Sequence, residues 1–231
     1  VLRLDSQTSD GPILRAIIDL IYRRGLATWL RERHNRAMLV PANEAESYSQ
    51  IATCRKRRHE IRRLRKRLAE QGELQSITLE DDGDIDRWID EFLRLESKGW
   101  KGRNASAFAC SDADRAFFRS IAHDAFRRRR LMMMGLQFNG EMIALKCNFL
   151  GGDGGFAFKI AYDEAFQQYS PGVLLEMDNI AAVHERTLLK WMDSCADPDH
   201  PMIDRLWGER RTIESLWVST GRRFGNFAVT T

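Results

Sequence analysis

The sequence lacks most of the features that mark secreted, membrane-spanning and metal-binding proteins. No apolar run approaches the roughly 20 residues that cross a bilayer, and residues 1–11 are too polar for the core of a signal peptide. The five histidines are dispersed without an HxxxH or HExxH spacing, so we expect no metal site. Only four cysteines occur in 231 residues, and the absence of a CxxC pair excludes a zinc ribbon and a disulfide framework. We therefore expect a protein of the reducing cytoplasm without a membrane span.

Positive charge is concentrated in one segment rather than spread over the chain. The formal net charge is +3, but Arg55–Arg67 holds nine Arg or Lys and one Glu, a local charge of +8, which leaves 3 − 8 = −5 for the rest. The pattern predicts a helix from Glu44 to about Gln71 with only a narrow apolar stripe. Such a helix either contacts the phosphates of a nucleic acid or presents a solvated or intramolecularly paired face. Aromatic residues that would stack on bases are not interleaved with the arginines, which favours the second interpretation.

The first 42 residues carry local structure signals but are too few for an independent core. A helix is predicted from about Pro12 to Gly25, continued less regularly by Trp29 and Leu30, and Met38–Val40 predicts a short strand. The chain begins without an initiator Met, so we expect the native N-terminus to lie further upstream. This stretch resembles the end of a preceding lobe.

Residues 74–231 alternate between strand and helix patterns in an order typical of one sheet domain. Asn139-Gly140 is a strong hairpin signal, and the glycine-rich residues 151–155 predict a second tight turn. The predicted helices begin near Ile85, Ser111 and Pro171, and the predicted strands are Leu74–Leu79, Leu131–Phe138, Glu141–Leu150, Phe156–Tyr162, Leu188–Ser194 and Ile213–Ser219. This order predicts an α+β fold with a central sheet of mixed strand direction.

The junction between the last strand of this meander and the next helix is the segment most suggestive of a ligand. Ser170 suits an N-cap, Pro171 suits the first helical position, and Gly172 allows a group to approach the backbone. The unpaired N–H groups and the dipole of a helix N-terminus favour a phosphate or pyrophosphate. Ordinary helix initiation, which needs no ligand, accounts for the same three residues.

The order of meander, Ser-Pro-Gly junction, helix and strand resembles the GNAT acetyltransferase superfamily. The pyrophosphate loop of that superfamily reads Gln/Arg-x-x-Gly-x-Gly/Ala, and Gln167, Ser170 and Gly172 occupy its defining positions, with Ser in place of the first Gly. WKGR from Trp100, KIAYDEAFQQYSPGVLLEMDNI from Lys159 and DSCADPDHPMIDRLWGERRTI from Asp193 resemble the CelD-type, BioF2-like acetyltransferase branch, which is related to the FemAB aminoacyltransferases.

The resemblance covers roughly residues 45–215 and implies a GNAT-like, mostly antiparallel central sheet flanked by helices, with the basic helix N-terminal to it. It also implies a division into three parts. These are a remnant of a first GNAT-like lobe at 1–42, an arginine-rich connecting helix at 43–73 and an acyltransferase domain at 74–231.

The resemblance further implies acyl transfer from a CoA thioester to an amine. Strands Phe156–Tyr162 and Leu188–Ser194 would separate, so that the pantetheine arm pairs with the open strand edge. Backbone N–H groups of the first of these strands would stabilise the oxyanion. The candidate donor-binding residues are Phe158, Ile160, Gln167, Gln168, Tyr169, Ser170, Pro171, Gly172 and Val173.

The transfer also needs a group that accepts the proton of the amine. Asp193, at the end of the strand after the helix, is the first candidate, and Lys159 and Tyr162 are polar candidates on the facing strand. Each also fits a structural role, respectively as a turn cap, a solvent-facing residue and a core residue. Residues 201–210, where many GNAT enzymes place the acid that protonates the leaving thiolate, contain no tyrosine, so either His200 serves as this acid or no acid is needed.

Three functions stay open at this point. The leading one is an N-acyltransferase that uses acetyl-CoA or another acyl-CoA and no metal, and acts on a small-molecule or glycan-precursor amine in cell-envelope or exopolysaccharide metabolism. The second is a FemAB-like transferase with an aminoacyl-tRNA donor, which would use the basic helix. The third is a non-catalytic GNAT-like lobe that binds a partner or a sugar polymer, which the imperfect Gln167-x-x-Ser-x-Gly loop leaves open.

Overall fold

The structure is a computed structural model that describes residues 1–41, 48, 54–80, 83–186 and 188–221. Its strands are β1 Leu2–Thr8, β2 Thr28–Leu39, β3 Leu74–Thr78, β4 Leu131–Phe138, β5 Glu141–Gly151, β6 Gly154–Tyr162, β7 Trp191–Asp193 and β8 Glu209–Val218. Its α-helices are α1 Pro12–Arg23, α2 Arg55–Ala69, α3 Ile85–Lys98, α4 Trp100–Arg103, α5 Asp112–Arg127 and α6 Pro171–Glu185, and 3-10 turns span Phe108–Cys110, Glu164–Tyr169 and Ile203–Arg205. The chain divides into two compact units, the first comprising Val1–Met38, Ala196–His200 and Glu209–Thr231, the second Leu39–Cys195 and Pro201–Gly208.

The first unit contains a three-stranded antiparallel sheet in which β8 lies between β1 and β2. The expectation that Trp29 and Leu30 continue the first helix is wrong, because both lie in β2, which begins well before Met38. Trp29 pairs with Trp217 of β8, and their rings meet edge-on with centroids 5.3 Å apart. A cross-strand partner from the other end of the chain therefore decides the conformation of this segment, where the local signal is weak.

The second unit contains a five-stranded sheet in the order β7-β6-β5-β4-β3. Neighbouring strands are antiparallel except β6 and β7, which are parallel. Asn139 and Gly140 have φ angles of 51° and 82°, as the predicted two-residue hairpin requires. The meander and the helix after it are confirmed, and so is the mixed, mostly antiparallel sheet with flanking helices. β7 is shorter than the predicted strand Leu188–Ser194, since only three of its residues pair with β6.

Helices cover both faces of this second sheet. On one face, α3 and α5 pack Phe92 and Phe118 against Leu145 and Cys147 of β5 in the main apolar core. Lys146, between those two β5 residues, must point to the opposite face, where it meets α6. In the described ranges, no helix is long and apolar enough to cross a membrane. The same ranges contain no group of three His, Cys, Asp or Glu side chains that could hold a metal ion.

Helix α2 packs its narrow apolar stripe, the buried Ile61, Leu64 and Leu68, towards the second unit's core. It ends at Ala69, two residues before the predicted end. Most of the predicted N-terminal part, residues 44–47 and 49–53, lies outside the described residues. The boundaries proposed at residues 42 and 73 remain predictions.

Candidate functional site

The parallel strands β6 and β7 are paired over only three residues. Their pairs are Gly154 with Trp191, Gly155 with Met192 and Phe156 with Asp193. A Cβ atom on Gly154 would lie 2.1 Å from the indole ring of Trp191, so only glycine permits this approach. β7 ends at Asp193, whereas β6 continues to Tyr162. The remaining six residues of β6 therefore present a strand edge beyond the end of β7.

The chain enters α6 through a tight turn at the end of β6. A 3-10 turn over Glu164–Tyr169 leads to Ser170, whose φ and ψ of 52° and 55° are left-handed. In this conformation the Ser170 side chain makes no capping hydrogen bond, contrary to its expected role as an N-cap. Its carbonyl oxygen instead accepts hydrogen bonds from the N–H groups of Val173 and Leu174, at 2.9 and 3.1 Å. The predicted helix start is correct, and its means of capping is different.

Gly172 brings the first turn of α6 directly against β6. A Cβ atom on Gly172 would lie 3.3 Å from Tyr162 Cδ1 and 3.8 Å from Ile160 Cδ1. Pro171 and Gly172 are buried, whereas Gln167 and Gln168 are exposed on the preceding turn and Val173 is half-buried. The structure therefore brings Ile160 of β6 against the first turn of α6, whereas Phe158 packs on the α3 side against the rings of Phe108 and Phe118. The binding of a donor by these residues stays a prediction.

Tyr169 and helix α2 brace this loop. The buried Tyr169 hydroxyl accepts a hydrogen bond from Gln71 Nε2, and the Arg67 guanidinium lies over the Tyr169 ring, 6.0 Å from its centroid. The Tyr169 side chain therefore serves to hold the loop, which leaves only its backbone for a ligand.

Arg65 of α2 ties the same helix N-terminus to β3. Its Nη2 donates to the Leu174 carbonyl at 3.1 Å and to Asp178 Oδ1 at 2.6 Å, and Ser76 Oγ donates to Asp178 Oδ2 at 2.7 Å. One of the arginines in the basic segment is therefore an internal brace of α6, as the intramolecular interpretation of that segment predicts.

Of the predicted catalytic residues, Lys159 and Tyr162 lie on different faces of β6. Lys159 points to the α3 face, where its Nζ lies 2.8 Å from Glu96 Oε1 and 3.9 Å from the Phe108 ring centroid. Tyr162 lies on the α6 face beside Gly172. Asp193 is buried, and its Oδ1 accepts a hydrogen bond from the Cys195 N–H at 2.8 Å, which matches the turn-cap alternative.

His200 belongs to the first unit, and its role stays a prediction. A bulge at Phe158 brings Lys159 onto the α3 face. Lys159 pairs with Cys147 while Ala157 pairs with Asn148, so Phe158 is an extra residue in β6.

Two charged residues beside β6, Glu96 and Lys101, are not among the sequence-predicted site residues. The Glu96 carboxylate is fully buried, and its Oε2 accepts a hydrogen bond from the Phe108 N–H at 2.9 Å. Lys101, in the WKGR run, donates from Nζ to the Ile160 carbonyl at 3.0 Å and lies 3.7 Å from Glu96 Oε1. The WKGR resemblance was the available signal for Lys101, whereas Glu96 sits in an amphipathic helix where an acidic residue is ordinary.

A second buried polar group lies under α6 on the other face. Lys146 Nζ is 2.8 Å from Glu176 Oε2, and both side chains are almost completely buried. Glu176 Oε1 accepts hydrogen bonds from Asn179 Nδ2 at 2.9 Å and from Trp207 Nε1 at 3.1 Å. The Asn179 amide oxygen in turn accepts from Asn148 at 2.9 Å. This network fixes the register of α6 on β5 and so helps to place the N-terminus of α6.

Comparison with known proteins identifies one matching family. The profile of the acetyltransferase (GNAT) domain matches residues 55–200, more than half of the chain. No curated protein sequence matches significantly.

Several solved structures share the fold at low sequence identity. A conserved protein of unknown function from Bacteroides thetaiotaomicron VPI-5482 has a TM-score of 0.60 and 12% identity, covering 93% of this chain and 68% of its own. The C-terminal domain of a putative lysylphosphatidylglycerol synthetase from Agrobacterium fabrum has a TM-score of 0.59 and 11% identity, covering 99% and 70%. FemX has a TM-score of 0.59 and 9% identity, covering 96% and 73%.

Proposed function

The chain belongs to the GNAT acetyltransferase family, and we propose that it transfers an acyl group from an acyl-CoA, with acetyl-CoA as the first choice, to an amine acceptor beside the open edge of β6. The observation that supports this proposal is that an open strand edge and a helix N-terminus lie next to each other. The edge of β6 beyond Phe156 extends past the end of β7, and the N-terminus of α6 packs against that strand through Gly172.

The donor would lie along β6 with its pyrophosphate at the first turn of α6. Helix α6 begins at Pro171 and is 15 residues long, so its dipole favours an anion at that end. Gln167 and Gln168 are exposed on the approach to this turn and offer amide donors. The pantetheine arm would add to the β6 edge between Phe158 and Tyr162 by backbone hydrogen bonds.

The reaction would then need alignment, an oxyanion site and a proton acceptor. Fixing the thioester beside the amine supplies several kcal/mol by proximity, and a backbone N–H on the open edge of β6 would stabilise the oxyanion. Asp193, Lys159 and Tyr162 remain proposed participants, with His200 as the proposed acid. The contacts of Asp193 with Cys195 and of Lys159 with Glu96 weaken the case for these two as direct proton acceptors.

The acceptor that we propose is a small-molecule or glycan-precursor amine of cell-envelope or exopolysaccharide metabolism. An amine is the nucleophile that GNAT chemistry requires, and the CelD-type resemblance supports the pathway. A panel of amino sugars assayed with acetyl-CoA, with release of free thiol as the readout, tests this part of the proposal.

Donor binding is tested by isothermal titration with acetyl-CoA and longer acyl-CoAs. Gly172→Glu adds a negatively charged side chain to the first turn of α6, next to the proposed pyrophosphate site, and should weaken binding at least tenfold. Gly151→Glu is the matched control, because a Cβ atom there meets only Phe156, at 3.8 Å. Since Gly172 is buried, Gln168→Glu on the exposed part of the loop provides a second variant, for which we expect a several-fold loss. Absence of binding of any acyl-CoA to the wild type would end the CoA assignment.

A second candidate donor is an aminoacyl-tRNA, as the FemAB resemblance implies. The observation that favours it is the row of exposed cations on α2, which includes Arg55, Lys56, Lys66 and Arg67. Phosphate contacts by these side chains predict tRNA binding that weakens steeply as salt rises. The double variant Arg55→Glu/Lys56→Glu should reduce that binding strongly, and equal binding by the variant would eliminate this donor.

A further inference from the structure

Two ion pairs and one hydrogen bond hold the end of α3 and the short helix α4 against Asp163 and Glu164, at the start of the turn that leads to α6. The Trp100 N–H donates to Glu164 Oε1 at 2.7 Å, and Arg103 pairs with both oxygens of the same carboxylate. Lys98 Nζ lies 2.6 Å from Asp163 Oδ2. The hydrogen bond from Arg103 holds the pKa of Glu164 below its usual value, so both acidic partners are ionised at neutral pH. Two segments some sixty residues apart are therefore joined beside the C-terminal end of β6.

This attachment places Lys101 on the open edge of β6. In an antiparallel pair, the backbone groups of alternate residues point to the same neighbour. The Asp163 N–H donates to Ile143 of the segment formed by β5, so Lys159 and Ala161 also face β5 and Ile160 faces away from it. The Lys101 Nζ donates to that outward Ile160 carbonyl at 3.0 Å. Lys101 thus contacts the edge along which the thioester is proposed to bind.

The charges around Lys101 do not balance. One fully buried carboxylate, that of Glu96, lies beside two lysines. Its Oε1 is 2.8 Å from Lys159 Nζ and 3.7 Å from Lys101 Nζ. Burial lowers the pKa of Lys101, the Glu96 carboxylate opposes this, and the positive charge of Lys159 lowers the pKa further. The small cavity around Lys101 is also lined by Trp100, by Tyr162 of β6 and by Glu164, whose carboxylate pairs with Arg103.

We propose that Lys101 is the residue that accepts the proton of the acceptor amine. A neutral amine still donates one N–H to the Ile160 carbonyl and presents its lone pair on another side. The amine nitrogen attacks the thioester carbonyl carbon, the C–N bond forms, the C–S bond breaks and CoA leaves as the thiolate. The proton lost from nitrogen moves to Lys101 Nζ, which becomes an ammonium beside Glu96. This role depends on the proposed acyl-CoA function.

Competitive labelling with trace acetic anhydride, read by mass spectrometry across pH 7–11, tests the protonation state and the location together. Lys190, whose side chain is 74% exposed, is the internal control. The pH at which labelling of Lys101 is half-maximal should be lower than the corresponding pH for Lys190. Saturating CoA should slow the labelling of Lys101 but not that of Lys190. Lys101→Arg, which is permanently protonated and so cannot accept a proton, should bind acetyl-CoA with less than a threefold change.

With any amine of the panel that supports turnover, Lys101→Arg and Lys101→Met should lower the rate by about 100-fold or more. They should also remove the acid limb of the pH–rate profile, and added methylamine should partly rescue Lys101→Met. The proposal is overturned if Lys101 and Lys190 reach half-maximal labelling at the same pH. It is also overturned if CoA, shown by titration to be bound, leaves the labelling of Lys101 unchanged. If the wild type binds no acyl-CoA, the proposed function itself fails, which is a separate result.

Discussion

Removing the charge of Lys146 should lower the free energy of unfolding of the second unit far more than removing the charge of a surface lysine. The Lys146 and Glu176 side chains are 3% and 0% exposed and lie 2.8 Å apart. At an effective dielectric constant of about 20, this distance corresponds to a gross attraction of about 6 kcal/mol. Desolvation offsets much of that, yet Lys146→Met leaves the Glu176 carboxylate buried without its cation, which typically costs about 3–5 kcal/mol.

The paired variant isolates the charge effect. Lys146→Met/Glu176→Gln removes both charges and keeps a side-chain oxygen that accepts from Asn179 and Trp207. We therefore expect the double variant to recover more than half of the free energy of unfolding that Lys146→Met loses. Urea unfolding followed by tryptophan fluorescence and circular dichroism gives the free energies of unfolding for the cycle.

The surface pair Lys190–Asp153, with side chains 74% and 52% exposed, provides the control. Lys190→Met should leave the urea midpoint nearly unchanged. A loss below about 1 kcal/mol for Lys146→Met, or a double variant less stable than that single one, would refute the reasoning.

Three further expectations concern single residues. Gly102→Ala should cost about 1–3 kcal/mol in urea unfolding, because the new Cβ atom would lie 1.8 Å from the Ser97 carbonyl oxygen; an unchanged midpoint would contradict this packing. Burial acts to raise the pKa of Asp163, but hydrogen bonds from Lys98 and the Ala165 N–H leave it below the usual 3.8. The ionised carboxylate therefore stabilises the fold above about pH 4, and this contribution disappears as pH falls through the lowered folded-state pKa. Asp163→Asn should then be less stable at pH 7 and lose less stability below pH 4, and equal slopes in acid titrations would argue against it. Burial raises the pKa of the Cys147 thiol to about 12, so iodoacetamide at pH 8 should leave this thiol unmodified in the folded protein. The exposed cysteines for comparison are Cys54, Cys110 and Cys195. Labelling of Cys147 as fast as that of these three would contradict its burial.

Local chemistry was sufficient for the elements of the meander and for the start of α6. Asn139-Gly140 adopts the backbone angles of a two-residue hairpin because these residues tolerate positive φ. Pro171 begins a helix because its missing N–H costs nothing there. Both effects act over a few residues, so they can be predicted from a single sequence.

The same reasoning fails where the decisive partner is distant in the chain. Trp29 lies in a strand because Trp217 pairs with it, and Lys159 turns towards α3 because of a bulge at Phe158 that no local pattern marks. The left-handed backbone of Ser170 was also unforeseen, since serine before proline favours an ordinary side-chain cap.

The residues alone were enough to predict the family, the meander, the helix that begins at Pro171 and the concentration of positive charge before it. The packed fold was needed to show that Glu96 is buried between two lysines, that Lys101 contacts the edge of β6, and that Arg65 braces α6. Charge and hydrogen-bonding energies depend on burial and on distances of a few ångströms. Burial and these distances are set when segments about sixty or more residues apart pack together, so no local sequence pattern encodes them.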